Sequence, residues 1–173
     1  MIPTGGPAGW PAAPPGRRLY AIGDVHGRLD LLDAALARLA ADSAARPPPA
    51  AGLAVILLGD LVDRGPDSAG VVERLVAGPP AAGPLAGADW LSVLGNHETY
   101  LRGFLADPSL GPVWMANGGR ATVQSYLGRS SQEEEGPDDF VRLRDRLARA
   151  VPAAQQDWLR RLPLWRAEGT HRS

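Results

Sequence analysis

Three short stretches of this 173-residue chain carry side chains suited to holding cations beside a phosphate: Gly23-Asp24-Val25-His26-Gly27, Gly59-Asp60-Leu61-Val62-Asp63-Arg64-Gly65 and Gly95-Asn96-His97-Glu98. Asp24, Asp60 and Asn96 are separated by 36 residues in both intervals. Asp24 and His26 are two apart, so on an extended backbone they project to one side and offer an oxygen and a nitrogen to one cation. Asp60 can bridge that cation to a second, to which Asn96 offers a neutral oxygen. Ligands of this kind without sulfur suit manganese, iron or zinc better than calcium. Two such divalent ions about 3.5–4 Å apart would hold a bridging water as hydroxide and stabilise attacking and leaving oxygens together. Arg64 gives planar, bidentate recognition of phosphate. His97 is placed to protonate a leaving group, and Asp63 to orient it. Taken singly, each residue has an ordinary reading. A histidine after Asp-Val is usually a surface residue, Asp63 and Arg64 can form a structural ion pair, and Glu98 can simply favour the N-terminus of a helix through its dipole. Three equivalent loops carrying ligands, phosphate binder and acid together point to metal-assisted phosphoester hydrolysis.

The elements that must position these loops are legible in the apolar pattern. Leu19 to Ile22, Val55 to Leu58 and Trp90 to Leu94 are short apolar runs, each closed by glycine and a ligand-type residue, and they read as strands buried on both faces. Between the first two, Leu29, Leu32, Leu36 and Leu39 mark an amphipathic helix over Leu29 to Ala41, ended by Pro47-Pro48-Pro49. Asp67 or Ser68 caps a second helix carrying Val71, Val72, Leu75 and Val76, stopped by Gly78-Pro79-Pro80. The order β-α-β-α-β implies an α/β fold with parallel strands and right-handed crossovers, whose ligands gather at the carboxyl ends of the strands. Further on, Glu98 to Ala106 reads as helix. Val113-Trp114-Met115 precedes an Asn117-Gly118-Gly119 turn and a short helical piece through Val123, Tyr126 and Leu127. Gly128 to Asp139, centred on Glu133-Glu134-Glu135, reads as a solvated acidic loop. Helical spacing resumes at Phe140, Leu143, Leu147 and Val151, Pro152 opens a last helix, and Leu162-Pro163-Leu164-Trp165 reads as the approach to another strand.

Composition bounds the possibilities. The length suits one domain with a real core. A net charge of −1 and a pI near 6.3 give no electrostatic case for nucleic acid, and no apolar run suggests a membrane span. The start lacks the basic and apolar pattern of a secretory signal, which makes the cytoplasm the default location. There is no cysteine, hence no thiolate metal site, and all 18 basic residues are arginine. Residues 1–16, rich in proline and glycine, read as a flexible leader.

The three motifs, in this order, resemble the signature motifs of the phosphoprotein phosphatase group of calcineurin-like metallophosphoesterases, especially its bacterial and phage serine/threonine phosphatases. The resemblance covers roughly residues 18 to 168. It implies Asp24, His26 and Asp60 on one metal, Asp60 and Asn96 on the other, Arg64 on phosphate, and His97 paired with Asp63 as general acid. The expected substrate is a phosphoprotein or small phosphoester. Asn117-Gly118-Gly119 is similar to a segment near the substrate groove of such enzymes. Dinucleoside polyphosphate hydrolases of the same superfamily share much of the pattern but typically carry Ala where this chain has Asp63 and Asp where it has Glu98, which favours the phosphatase group. Members of the family continue past a Leu-Pro-Leu segment into a strand ending in a ligand histidine and supply another histidine later. Here only His171 follows the motifs. The resemblance therefore implies that residues 17–173 form the N-terminal part of the family's αββα sandwich, with an uncovered sheet edge or face. The competing class is a non-catalytic protein that binds phosphate or one metal.

Overall fold

The apolar run at residues 53–57 becomes the central strand of a three-stranded parallel sheet in the computed structural model, which describes residues 13–128 and 137–165. Strands β1 (Arg18–Ile22), β2 (Leu53–Leu57) and β3 (Asp89–Ser92) lie in the order β1-β2-β3, with Tyr20 beside Val55 and Val55 beside Trp90. Helix α1 (Leu29–Ala44) joins β1 to β2, and α2 (Ser68–Val76) joins β2 to β3, so the α/β order is the one the sequence implies. Asp67 caps α2 by accepting from the Gly70 N–H at 2.8 Å. Leu32 and Leu36 of α1 and Val71 and Leu75 of α2 pack on Tyr20, Ile22, Val55, Leu57 and Trp90.

Beyond β3 the chain is helical. Helix α3 (Asn96–Ala106) leads through a 3-10 turn at Pro108–Leu110 into α4 (Gly111–Ala116), α5 (Gly119–Leu127), α6 (Pro137–Ala150) and α7 (Ala153–Arg161). Leu101, Phe104, Trp114, Val123, Leu143, Leu147 and Leu159 close a second core around Val62 and Val72. That core holds the helical layer against the loop after β2.

Two expectations are corrected and a third falls at the edge of the described residues. Among the described residues the strands are not covered on both faces, which corrects the doubly buried reading and agrees with the uncovered face that the resemblance implied: Ala21 is exposed, and Leu58, just past β2, is 55% exposed. Two successive right-handed crossovers in one direction deliver both helices to the same side of the sheet, and neither core includes Leu19, Ala21, Ile56 or Leu91. Leu162-Pro163-Leu164-Trp165 is itself irregular, and the residues after it, where a strand would follow, lie outside the described residues. The Pro163 carbonyl accepts from the Leu94 N–H at 2.7 Å, but proline has no N–H to extend a ladder, and Leu164 and Trp165 stand 77% and 75% exposed. Helix α6 starts at Pro137, inside the expected acidic loop, because proline suits the first turn of a helix. Residues 1–12, Glu133-Glu134-Glu135 and His171 lie outside the described residues.

Candidate active site

The loops after β1 and β2 turn sharply, and the turning is done by the chemistry-bearing residues themselves, whereas the loop after β3 runs directly into α3. Asp24, His26, Asp60, Asp63 and Arg64 all have positive φ, from 44° to 71°. Outside glycine this left-handed conformation costs roughly 1–3 kcal/mol per residue and persists only where the surroundings over-determine it. Here the loops brace one another. The His26 N–H donates to the Asp60 carbonyl at 2.9 Å and the Gly27 N–H to the Leu61 carbonyl at 2.8 Å. Such close approach needs glycine: a Cβ at Gly65 would strike the His26 carbonyl, and one at Gly95 would strike the Asp60 amide and carboxylate.

Glu98 provides the strongest brace. Fully buried, it accepts through Oε1 from the Leu61 and Val62 N–H groups at 2.7 and 3.1 Å, and through Oε2 from those of Asp60 and Gly95, both at 2.9 Å. One carboxylate thus satisfies four backbone donors on two loops and sets the spacing between Asp60 and Asn96. The dipole reading of Glu98 understates it. The signal in the sequence was a carboxylate at the third position of a helix, the place from which a side chain folds back on the N-cap.

The loops bring His26, Asp60 and His97 together, with one ligand atom of each within 4.8 Å of the others. The ring centroids of His26 and His97 are 4.7 Å apart, edge to face. His26 Nδ1 lies 3.1 Å from the Val62 carbonyl, to which its N–H donates, leaving the Nε2 lone pair exposed to a cation or to Arg64, whose guanidinium donates to it at 3.0 Å. The Asn96 amide meets both Asp60 carboxylate oxygens at 3.1 Å with its nitrogen donating, and the His97 N–H reaches Asp60 Oδ1 at 3.2 Å. Two imidazoles and a carboxylate in mutual reach suit a divalent transition ion. Asp24 stands apart from this cluster. It is exposed, and because Asp24 and His26 are both left-handed rather than extended, the alternation expected to bring them to one side does not operate.

Asp63 is fully buried and meets His97 Nδ1 at 2.9 Å. Two further contacts come from helices that the motifs do not include: Trp114 Nε1 and the Thr122 hydroxyl both donate to the Asp63 carboxylate. Nothing local in the sequence ties them to Asp63, 51 and 59 residues away. Asn117-Gly118-Gly119 supports Arg64 from behind, the Gly118 carbonyl accepting from the Arg64 N–H at 3.1 Å while Asn117 Nδ2 donates to the Val113 carbonyl at 2.7 Å.

Ligand-bearing loops at the carboxyl ends of parallel strands, with a guanidinium at their rim, are an arrangement suited to a divalent cation beside a phosphate group. Residues 17–170 match the calcineurin-like phosphoesterase family, and the chain belongs to it. The chain is 32% identical over 152 residues to the symmetrical bis(5'-nucleosyl)-tetraphosphatase of Dechloromonas aromatica (strain RCB), covering 88% of this chain and 41% of that protein. A crystal structure described as that of a candidate diadenosine tetraphosphatase aligns at a TM-score of 0.45 and 25% identity, over 84% of this chain and 43% of that one. The chain therefore spans about two fifths of the length of these relatives.

Proposed function

We propose that this chain contributes to metal-dependent hydrolysis of phosphoric esters and anhydrides, with a dinucleoside polyphosphate as the substrate class. The observation that carries the chemistry is the convergence of His26, Asp60 and His97 on one point, with Arg64 3.0 Å from His26. The substrate class is supported by the tetraphosphatase relative, and this favours the alternative named above over a serine/threonine phosphatase. His26, Asp60 and Asn96 are the proposed metal ligands, and Asp24, exposed in the first loop, is proposed to complete the set. Bound divalent ions, of which manganese suits the donor set, supply charge neutralisation at phosphate and lower the pKa of water. Arg64 binds and orients the phosphoryl oxygens. Asp63 fixes the His97 tautomer with its proton on Nδ1, so that Nε2 is the atom that carries a proton to the departing oxygen.

A second reading, a phosphomonoesterase acting on phosphoprotein, is favoured by that buried His97–Asp63 pair. A serine alkoxide needs a proton to leave, whereas a nucleoside diphosphate departs without one. Chain purified with manganese is assayed on diadenosine tetraphosphate, a phosphoserine peptide and phenyl phosphate, with metal content read on the same sample. The expected result is retained metal and ADP as the tetraphosphate product, both abolished in Asp60→Asn. Turnover of the peptide alone would establish the second reading. Phosphate binding without any turnover would refute both. His97→Asn should slow phenyl phosphate hydrolysis by about 10²–10⁴-fold and tetraphosphate cleavage far less.

A further inference from the structure

We infer that Trp114 and Thr122 are positioning residues that aim the Asp63 carboxylate at His97, a role that rests on the phosphoesterase reading above. A buried carboxylate held by one partner can rotate about its last bond and leaves lone pairs unsatisfied. Asp63 is not held that way. Its Oδ2 meets His97 Nδ1 and Trp114 Nε1, each at 2.9 Å, and its Oδ1 accepts from the Thr122 hydroxyl at 2.6 Å and from the same indole at 3.1 Å. The indole N–H straddles both oxygens, so the orientation of the ring fixes that of the carboxylate.

The protons in this network run one way. The Asp63 N–H reaches Thr122 Oγ1 at 2.9 Å and Ser68 Oγ at 3.1 Å, and the two hydroxyls are 2.9 Å apart. An ionised carboxylate only accepts, so the single Thr122 proton goes to Asp63, and Ser68 donates its own to Thr122. The indole cannot turn away. Phe104 packs on it with centroids 4.9 Å apart, and a Cβ at Gly119 would come within 2.5–2.6 Å of its ring atoms. Both residues are fully buried, and the same α4–α5 corner presents the Gly118 carbonyl to Arg64. One helical corner therefore sets both members of the Asp63-Arg64 dipeptide.

A merely structural role would slow every substrate alike. A positioning role slows only those whose leaving group needs a proton. The test uses the full manganese-loaded chain with Trp114→Phe, Thr122→Val and Thr122→Ser. Kinetics are measured on phenyl phosphate and on 2,4-dinitrophenyl phosphate, whose leaving group departs unprotonated. Trp114→Phe and Thr122→Val should each lower kcat for phenyl phosphate by about tenfold or more, change it on the dinitrophenyl ester by less than about threefold, and leave KM unchanged. Thr122→Ser, which keeps the hydroxyl, should behave as the parent chain. Equal losses on both esters, or a serine variant as slow as the valine one, would overturn the assignment. Should the parent turn over neither ester, the phosphoesterase reading fails, and the positioning geometry is judged by NMR. The Trp114 indole N–H, identified by its disappearance in Trp114→Phe, should exchange slowly with deuterium and shift on Asp63→Asn. Fast exchange, or no shift, would overturn it.

Discussion

Glu98 is where a single residue decides whether the other loops hold their shape. Its two oxygens receive four backbone N–H groups, and no water reaches them. Glu98→Gln turns one oxygen into an NH₂ that faces N–H groups, so two of the four donors lose their partner. At roughly 1–3 kcal/mol per buried group left unsatisfied, unfolding stability should fall by about 2–6 kcal/mol, read as a lower urea midpoint at unchanged slope. The same substitution should weaken metal retention, because Asp60 and Asn96 lose their fixed separation. Unchanged stability would show that the loops are braced mainly by the His26–Asp60 and Gly27–Leu61 backbone bonds instead.

At the scale of elements, the helices after β3 form a clamp around the second loop. Thr122 and Ser125, three apart and therefore on one face of α5, reach the head of α2: Ser68 Oγ is 2.9 Å from Thr122 Oγ1, and the Ala69 N–H donates to Ser125 Oγ at 2.9 Å. The far end of α5 is tied in by Tyr126, whose hydroxyl donates to Gln155 Oε1 of α7 at 2.7 Å, while Gln155 Nε2 donates to Glu73 Oε2 of α2 at 2.7 Å. Burial, with the nearby Glu73 and Asp67 carboxylates, pushes the Tyr126 hydroxyl well above its ordinary value of 10.0. The folded chain therefore keeps a proton that the unfolded chain gives up. Stability present below pH 10 should fall as the pH rises past it, by up to about 1.4 kcal/mol per pH unit for this one group. Because the chain has no lysine and only three tyrosines, few other groups titrate there. Urea unfolding from pH 8.5 to 11 should show a shallower decline in Tyr126→Phe. An identical slope would remove Tyr126 from the alkaline transition. The phenylalanine variant should also lose about 1 kcal/mol at neutral pH, because Gln155 Oε1 is left without its donor.

For the whole molecule, the decisive feature is a sheet that the described residues dress on one side. Both crossover helices lie on the same face, while Leu58, just past β2, is 55% exposed and Ala21 of β1 is exposed too. An apolar patch of this kind binds hydrophobic dyes. Leu58→Glu should lower ANS fluorescence markedly while changing unfolding stability by less than about 0.5 kcal/mol, the usual limit for a surface substitution. A larger destabilisation would mean that Leu58 is buried in solution. No helix among the described residues is long and apolar enough to cross a membrane.

The sequence alone was enough to establish the order of elements and the three motif loops, because strand runs, helical periodicity and glycine punctuation are local properties. The contiguous motifs also let the candidates Asp24, His26, Asp60, Asp63, Arg64, Asn96 and His97 be named, of which the fold brings His26, Asp60 and His97 within reach of one another. Its failures were all non-local. Whether the strands are covered on one face or two depends on where the crossovers place α1 and α2. The left-handed turns at Asp24 and His26 are imposed by loops pressing on one another. Glu98, Trp114 and Thr122 acquire their tasks only when residues 34 to 59 positions apart are packed into one buried network, and that closure is decided by the tertiary fold.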